Sequence, residues 1–154
     1  MSTDDSARPA KGSLWHVGVL VRDFDAAMAE LSSGVGIEWC PVQTRESSVG
    51  PFRLTFSTVA PFIELIEGKG GPGRDASDGP CLHHLAFWTD EFVPQKERLL
   101  CAGFDLELEG SAPFGGSFCY TLGETSGVRV ELTERTSQLG FLSTWGLTLP
   151  EVLS

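Results

Sequence analysis

Two stretches of this chain repeat each other at a fixed distance. His16 stands eight residues before Phe24, His84 stands eight residues before Phe92, and Leu31 and Leu99 keep the same offset of 68. "ELIE" from Glu64 and "ELTE" from Glu131 lie 67 apart, and "PFRLTF" and "PFGGSF" correspond at an offset of 62. A supersecondary unit written twice usually leaves an open face on each copy, which the other copy covers. The repeat therefore predicts an α+β fold in which two tandem β-α-β-β-β modules form a curved mixed sheet around a shared cleft.

Local patterns mark the modules. In the first, residues 14–67, "LWHVGVLV" (14–21) reads as a strand, and "RDFDAAMAELSSG" as a helix with Asp23 as its cap. Phe24, Ala27, Met28 and Leu31 form the apolar stripe of that helix and Gly34 its stop. Strands are expected over 35–42, 51–58 and 62–67. Residues 68–80, "GKGGPGRDASDGP", have the composition of a linker or lid loop. The second module, 81–134, gives a strand at 81–89, a helix with Asp90 near its start and Pro94 in its first turn, and strands at 104–110, 115–121 and 127–134. Residues 1–13 read as a loose polar leader without the apolar run of a secretory signal. The extension 135–154 carries Leu139, Phe141, Leu142, Trp145, Leu147 and Leu149. That much apolar surface predicts a segment that covers the cleft or packs on another subunit, and the second option makes a homodimer the expected assembly.

Charge narrows the partners. Lys and Arg total 11 against 21 Asp and Glu, a formal net charge of -10, which repels a phosphate backbone or an anionic membrane at long range. Neither nucleic acid nor membrane is expected as a partner. Cys40, Cys81, Cys101 and Cys119 contain no C-x-x-C pair and read as reduced thiols of a cytoplasmic protein. No glycine-rich phosphate loop follows a strand, so nothing points to ATP or NAD.

The repeat also selects side chains. His16 and His84 hold equivalent places in the first strands, and Glu64 and Glu131 in the last. A pseudo-twofold axis would gather these four around one point. Strand alternation puts Leu14, His16, Gly18 and Leu20 on one face and Trp15, Val17, Val19 and Val21 on the other. It likewise sets His84, Ala86 and Trp88 apart from His83, Leu85 and Phe87, so His83 is expected to be structural or to support the site indirectly. Taken singly, each histidine could be a packed strand residue and each glutamate a rim carboxylate. As a matched set, two imidazoles and two carboxylates suit one divalent ion such as Zn, Ni, Co, Fe or Mn. Five or six coordination would leave a position for substrate. Arg129 shares the Glu131 face and could anchor an anionic substrate group. Phe62, Trp88 and Tyr120 are candidate cleft walls, Arg53 has a weaker claim as an anchor, and Trp39 and Trp145 could lie at a subunit contact or under the extension.

The runs "HVGVLVRDFDAAM", "FIELIE", "HHLAFWTD" and "GVRVELTE" resemble the vicinal oxygen chelate superfamily, also called the glyoxalase, bleomycin-resistance and extradiol-dioxygenase superfamily, over about residues 14 to 134. The motifs are nearest to methylmalonyl-CoA epimerase-like and glyoxalase I-like members. The resemblance implies metal ligation by His16, Glu64, His84 and Glu131, the set that the repeat selects. It implies a metal-dependent isomerase, epimerase or lyase that removes a proton beside the carbonyl of a metal-bound small molecule, with Glu131 the first candidate base and Glu64 the second. Two alternatives stand beside it: an iron-dependent ring-cleaving dioxygenase, distinguished by oxygen consumption, and a non-catalytic, antibiotic-like small-molecule binding protein, distinguished by binding without turnover. The linker and extension depart from a close epimerase, which leaves the substrate open.

Overall fold

In the computed structural model, which describes residues 14–69 and 75–148, the chain runs β1 (Leu14–Val21), α1 (Phe24–Val35), β2 (Gln43–Ser47), β3 (Gly50–Phe56), β4 (Phe62–Glu67), β5 (Cys81–Thr89), α2 (Phe92–Cys101), β6 (Phe104–Ser111), β7 (Ser117–Gly123), β8 (Arg129–Glu134) and α3 (Gln138–Trp145). The expected leader 1–13, residues 70–74 of the expected linker, and Leu149 with the residues after it lie outside the described residues. The eight strands form one mixed sheet, curled into a half-barrel, in the order β2-β3-β4-β1-β5-β8-β7-β6. Its second half is the first half reversed, as a pseudo-twofold axis between β1 and β5 requires. β1 pairs parallel with β4, β5 pairs parallel with β8, and β1 meets β5 antiparallel.

Each helix covers the convex face of its own module. Phe24, Ala27, Met28 and Leu31 pack with Val19, Val21 and Leu65 beneath α1, and Phe92 and Leu99 pack with Phe87, Cys119, Val130 and Leu132 beneath α2. The Asp23 carboxylate accepts from the Ala26 N–H at 3.0 Å, which satisfies one of the free donors at the start of α1. The helix ends at Gly36 rather than Gly34. Gly36 takes φ 73° and its N–H reaches the Leu31 and Ser32 carbonyls, a left-handed closure that glycine makes without steric cost. At α2, Asp90 is not the cap; it pairs with Arg135 at 2.8 Å, while the Thr89 hydroxyl accepts from the Glu91 N–H.

The strand expected over 35–42 lies at Gln43–Ser47 instead. Residues before it pair with the sheet backbone through Cys40, whose N–H reaches the Phe56 carbonyl, and through a single Trp39–Ser57 bridge. Pro41 has no N–H to extend that ladder, so regular pairing resumes two residues later. Trp39 packs within this chain and donates its indole N–H to the Ser32 hydroxyl at 3.1 Å.

The concave face holds the third core cluster. Trp15, Phe56, Phe62, Trp88 and Phe141 meet there, with the Trp15 and Trp88 rings stacked at 4.1 Å. α3 crosses this face and seats Phe141 and Trp145, 1% and 5% exposed, among the sheet's side chains. The described part of the C-terminal extension therefore covers the cleft of its own chain through α3. Leu139 remains exposed. No helix among the described residues is long and apolar enough to cross a membrane.

Candidate metal centre

Register brings the repeat-matched residues together. Gly18 lies beside Glu64 in the β1/β4 pair, and Ala86 lies beside Glu131 in the β5/β8 pair. Across the β1/β5 junction His16 stands opposite Ala86 and His84 opposite Gly18. Each histidine thus faces the small residue of the other module. The close approach at Gly18 is absolute, because a Cβ there would overlap the His84 ring.

Unbroken alternation does not hold at this junction. The pairing slips once between Leu14 and His16 and once between Gly18 and Val19, which makes Trp15 and His83 the extra residues of two β-bulges. These positions are also 68 apart, so the irregularity obeys the repeat. A bulge re-aims side chains. Trp15, expected under the helix, turns to the concave side against His16. His83, expected on the face opposite His84, turns to the same side and brings its Nδ1 within 2.8 Å of the His84 Nδ1.

The four candidate ligands converge. His16 Nε2 lies 2.8 Å from His84 Nε2, and it lies 3.3 and 3.4 Å from Glu64 Oε2 and Glu131 Oε2. His84 Nε2 is 3.3 and 3.0 Å from the same two oxygens. The four ligand atoms all lie within 4.8 Å of one another, and all four residues are buried in a single chain. Bonds of about 2.1 Å to a common ion would separate neighbouring ligands by about 3.0 Å and opposite ones by about 4.2 Å, so the spacing fits. The chemistry fits as well. Glu64 Oε2 and Glu131 Oε2 are buried and, among the described residues, face no polar group but the two imidazoles, a costly state for a pair of carboxylates that a cation relieves. The Thr133 hydroxyl donates to Glu131 Oε1 at 2.9 Å and leaves Oε2 for the centre.

Burial disfavours charge on all four groups, yet mutual attraction outweighs it. Facing Glu131 and Glu64, the His84 imidazole is raised to about 9 and His16 also rises. Facing the histidines, Glu64 is lowered to about 2 and Glu131 falls well below the usual carboxylate range. The 2.8 Å contact between the two Nε2 atoms has room for one bridging proton. These four residues could hold a metal ion in place of that proton.

Residues 15–120 match the model of the Glyoxalase/Bleomycin resistance protein/Dioxygenase superfamily. The chain belongs to this superfamily. Solved structures similar to this superfamily member include methylmalonyl-CoA epimerase from Mycobacterium tuberculosis, at a TM-score of 0.61 and 20% identity over 83% of this chain and 91% of that one. A variant of the Streptomyces coelicolor methylmalonyl-CoA epimerase, in complex with 2-nitronate-propionyl-CoA, gives 0.60 and 17% over 79% and 96%. A mutant 4-hydroxymandelate synthase from Streptomyces coelicolor gives 0.59 and 17% over 79% of this chain and 48% of that one. At such identities these likenesses show the fold. No curated protein sequence matches significantly.

Beside the four residues this superfamily member has a cavity of about 270 Å³, lined in part by Phe52, Phe56, Phe114, Phe118, Phe141 and Trp145. Tyr120 lines it too, its ring centroid 5.1 Å from that of His84. Three other expected substrate contacts fall elsewhere. Phe62 and Trp88 are buried in the core cluster and are absent from the cavity lining. Arg129 is held by Glu107 at 2.6 Å and donates to the His83 carbonyl, because its strand position faces β6 and the β5 bulge. Arg53 is likewise engaged, by Glu67 and Asp25. Sequence reasoning missed Thr133 and Arg45. Thr133 could have been found from its place two residues after Glu131 on the same face, whereas Arg45 had no signal once β2 was misplaced.

Proposed function

We propose that this protein is a divalent-metal-dependent isomerase, epimerase or lyase that removes a proton beside the carbonyl of a metal-bound small molecule. The observation that carries it is the convergence of two imidazole nitrogens and two buried carboxylate oxygens beside a 270 Å³ cavity with aromatic walls. His16, Glu64, His84 and Glu131 would hold one ion, with Zn, Ni, Co, Fe and Mn all compatible with such a donor set. A bound divalent ion supplies Lewis-acid polarisation of the substrate carbonyl.

The two glutamates divide the remaining work. Glu131 is tethered by the Thr133 hydroxyl, which fixes it as a holding ligand. Both glutamates line the cavity, but Glu64 has no such tether among the described residues, so its carboxylate can turn toward substrate and take the proton. This reverses the order favoured by the sequence. Return of the proton by Glu64 to a neighbouring carbon gives isomerisation, whereas epimerisation takes its incoming proton from an acid on the opposite face of the carbon. The aromatic walls and α3 give the cavity apolar surface beside the centre, which strengthens the electrostatic interactions made there. All four cysteines are free, which supports a reducing, cytoplasmic setting.

Solvent deuterium exchange into a panel of small ketones, keto acids and thioesters tests the reading. Exchange beside the carbonyl should require added metal, stop with chelator and fall at least 100-fold in Glu64→Gln while bound metal is retained. Metal-loaded protein that exchanges no panel member, or exchange indifferent to chelator, would contradict it.

A further inference from the structure

Among the described residues that line the cavity, Arg45 is the only arginine or lysine. It sits on β2 opposite Phe52 of β3, and directly opposed residues of an antiparallel pair present their side chains on one face. Phe52 is 7% exposed and forms cavity wall, so the half-buried Arg45 stem follows that wall toward the interior. Arg53, Arg129 and Arg135, by contrast, hold carboxylates at 3.1, 2.6 and 2.8 Å. Arg45 has no ion pair or side-chain hydrogen bond among the described residues. Glu46 also borders the cavity, but it is exposed and makes no pair with Arg45.

Charge accounting gives this guanidinium a use. A divalent ion held by two carboxylates and two neutral imidazoles is a neutral centre, so it leaves no excess charge to attract the rest of a substrate. The chain as a whole carries -10 and repels anions, so an anionic group enters the cavity only where a local cation receives it. Arg45 lies three strands from β1 along the curled sheet. A ligand bound at both places must therefore carry its anion some distance from its carbonyl, with an apolar body between them against Phe52, Phe114 and Phe141.

We propose that the substrate is a small acid of this kind, with a carbonyl at one end and a carboxylate at the other, and that Arg45 holds the carboxylate and sets this specificity. The carbonyl end rests on the metal reading above; the carboxylate end does not. Arg45's planar fork suits bidentate binding of a carboxylate, and a cavity of 270 Å³ accommodates a molecule of that size.

Calorimetric titration of benzoylpropionate, benzoylbutyrate and benzoylvalerate, each against its primary amide, tests this in metal-free and metal-loaded protein. At least one acid should bind about tenfold or more tighter than its amide, as expected for a charge-assisted pair. Arg45→Gln should erase that preference without weakening the amide or changing metal content, and Arg45→Lys should restore part of it. Equal binding of acid and amide, an acid preference that survives in Arg45→Gln, failure of every acid to bind, or Arg45-dependent binding of coenzyme A alone in place of the acids would each overturn the proposal. Acid preference in a protein that takes up no metal would leave the Arg45 site standing and remove the metal reaction.

Discussion

Gly18→Ala is a one-carbon change with an outcome opposite to the ordinary expectation. Gly18 lies in β1 without a positive φ, so its backbone accepts alanine, and the loss of unfolded-state freedom alone would stabilise the protein by about 0.5–1 kcal/mol. The added Cβ, however, overlaps the Cε1 and Nδ1 atoms of His84. That ring is pinned on its other sides by His16 at 2.8 Å and by the two carboxylates. Either β1 and β5 separate or the imidazole swings out of the centre. Overpacking of this kind costs about 1–3 kcal/mol, which cancels the gain and leaves a net loss of up to about 2.5 kcal/mol in the metal-free protein. Displacing the His84 Nε2 should lower metal affinity at least as much as loss of a group supporting a ligand does, about 10- to 100-fold. Urea unfolding of metal-free protein and metal competition against a chromophoric chelator read the two effects. Gly34→Ala is the internal control, since nothing lies within 4 Å of its added Cβ; it should gain about 0.5–1 kcal/mol with unchanged metal affinity. A Gly18→Ala protein with parental stability and parental metal affinity would refute the packing argument.

Metal and protons should compete for the centre: His84 is held to about 9 by Glu131 and Glu64 despite its burial, so affinity should rise with pH through neutrality and level off near 9, with proton release visible as a buffer-dependent heat of binding. The same shifts set the stability of the metal-free protein. The His84 contribution is complete below 6.5 and lost as pH rises through about 9, and the Glu64 contribution is complete above 4.5 and lost as pH falls toward about 2. Thermal melts should therefore show a maximum between 4.5 and 6.5, and a flat profile up to pH 9 would contradict the clustered charges. Thr133→Val should weaken metal binding about tenfold by freeing Glu131, while an unchanged affinity would show that the 2.9 Å bond does no positioning. Phe141→Ala should cost about 3–5 kcal/mol and expose Trp145 to a soluble quencher; a smaller loss with Trp145 still shielded would show that α3 does not depend on this anchor.

The centre was legible because it is tied to the repeat: an offset of about 68 carries His16 to His84 and Glu64 to Glu131 whatever the details of pairing. Side-chain direction next to it was not. Alternation assumes unbroken register, and the bulges at Trp15 and His83 turn both residues inward; only the equivalence of the two positions, itself an offset of 68, hinted that they would behave alike. Arg45 was hidden for a different reason. The apolar run ending at Val42 imitates a strand better than "QTRES" does, and only the missing N–H of Pro41 shows where pairing must stop. The extension's apolar residues announced burial without naming their partner, because Phe141 and Trp145 fill space left by residues from both modules.

Metal content per chain tests the central claim most directly, in protein purified without chelator or immobilised-metal resin and beside a His84→Ala variant prepared identically. About one divalent ion per parent chain and a large loss in the variant is the expected result, with iron redirecting the search toward oxygen consumption. A parent that stays metal-free after reloading with each of Zn, Ni, Co, Fe and Mn would contradict it.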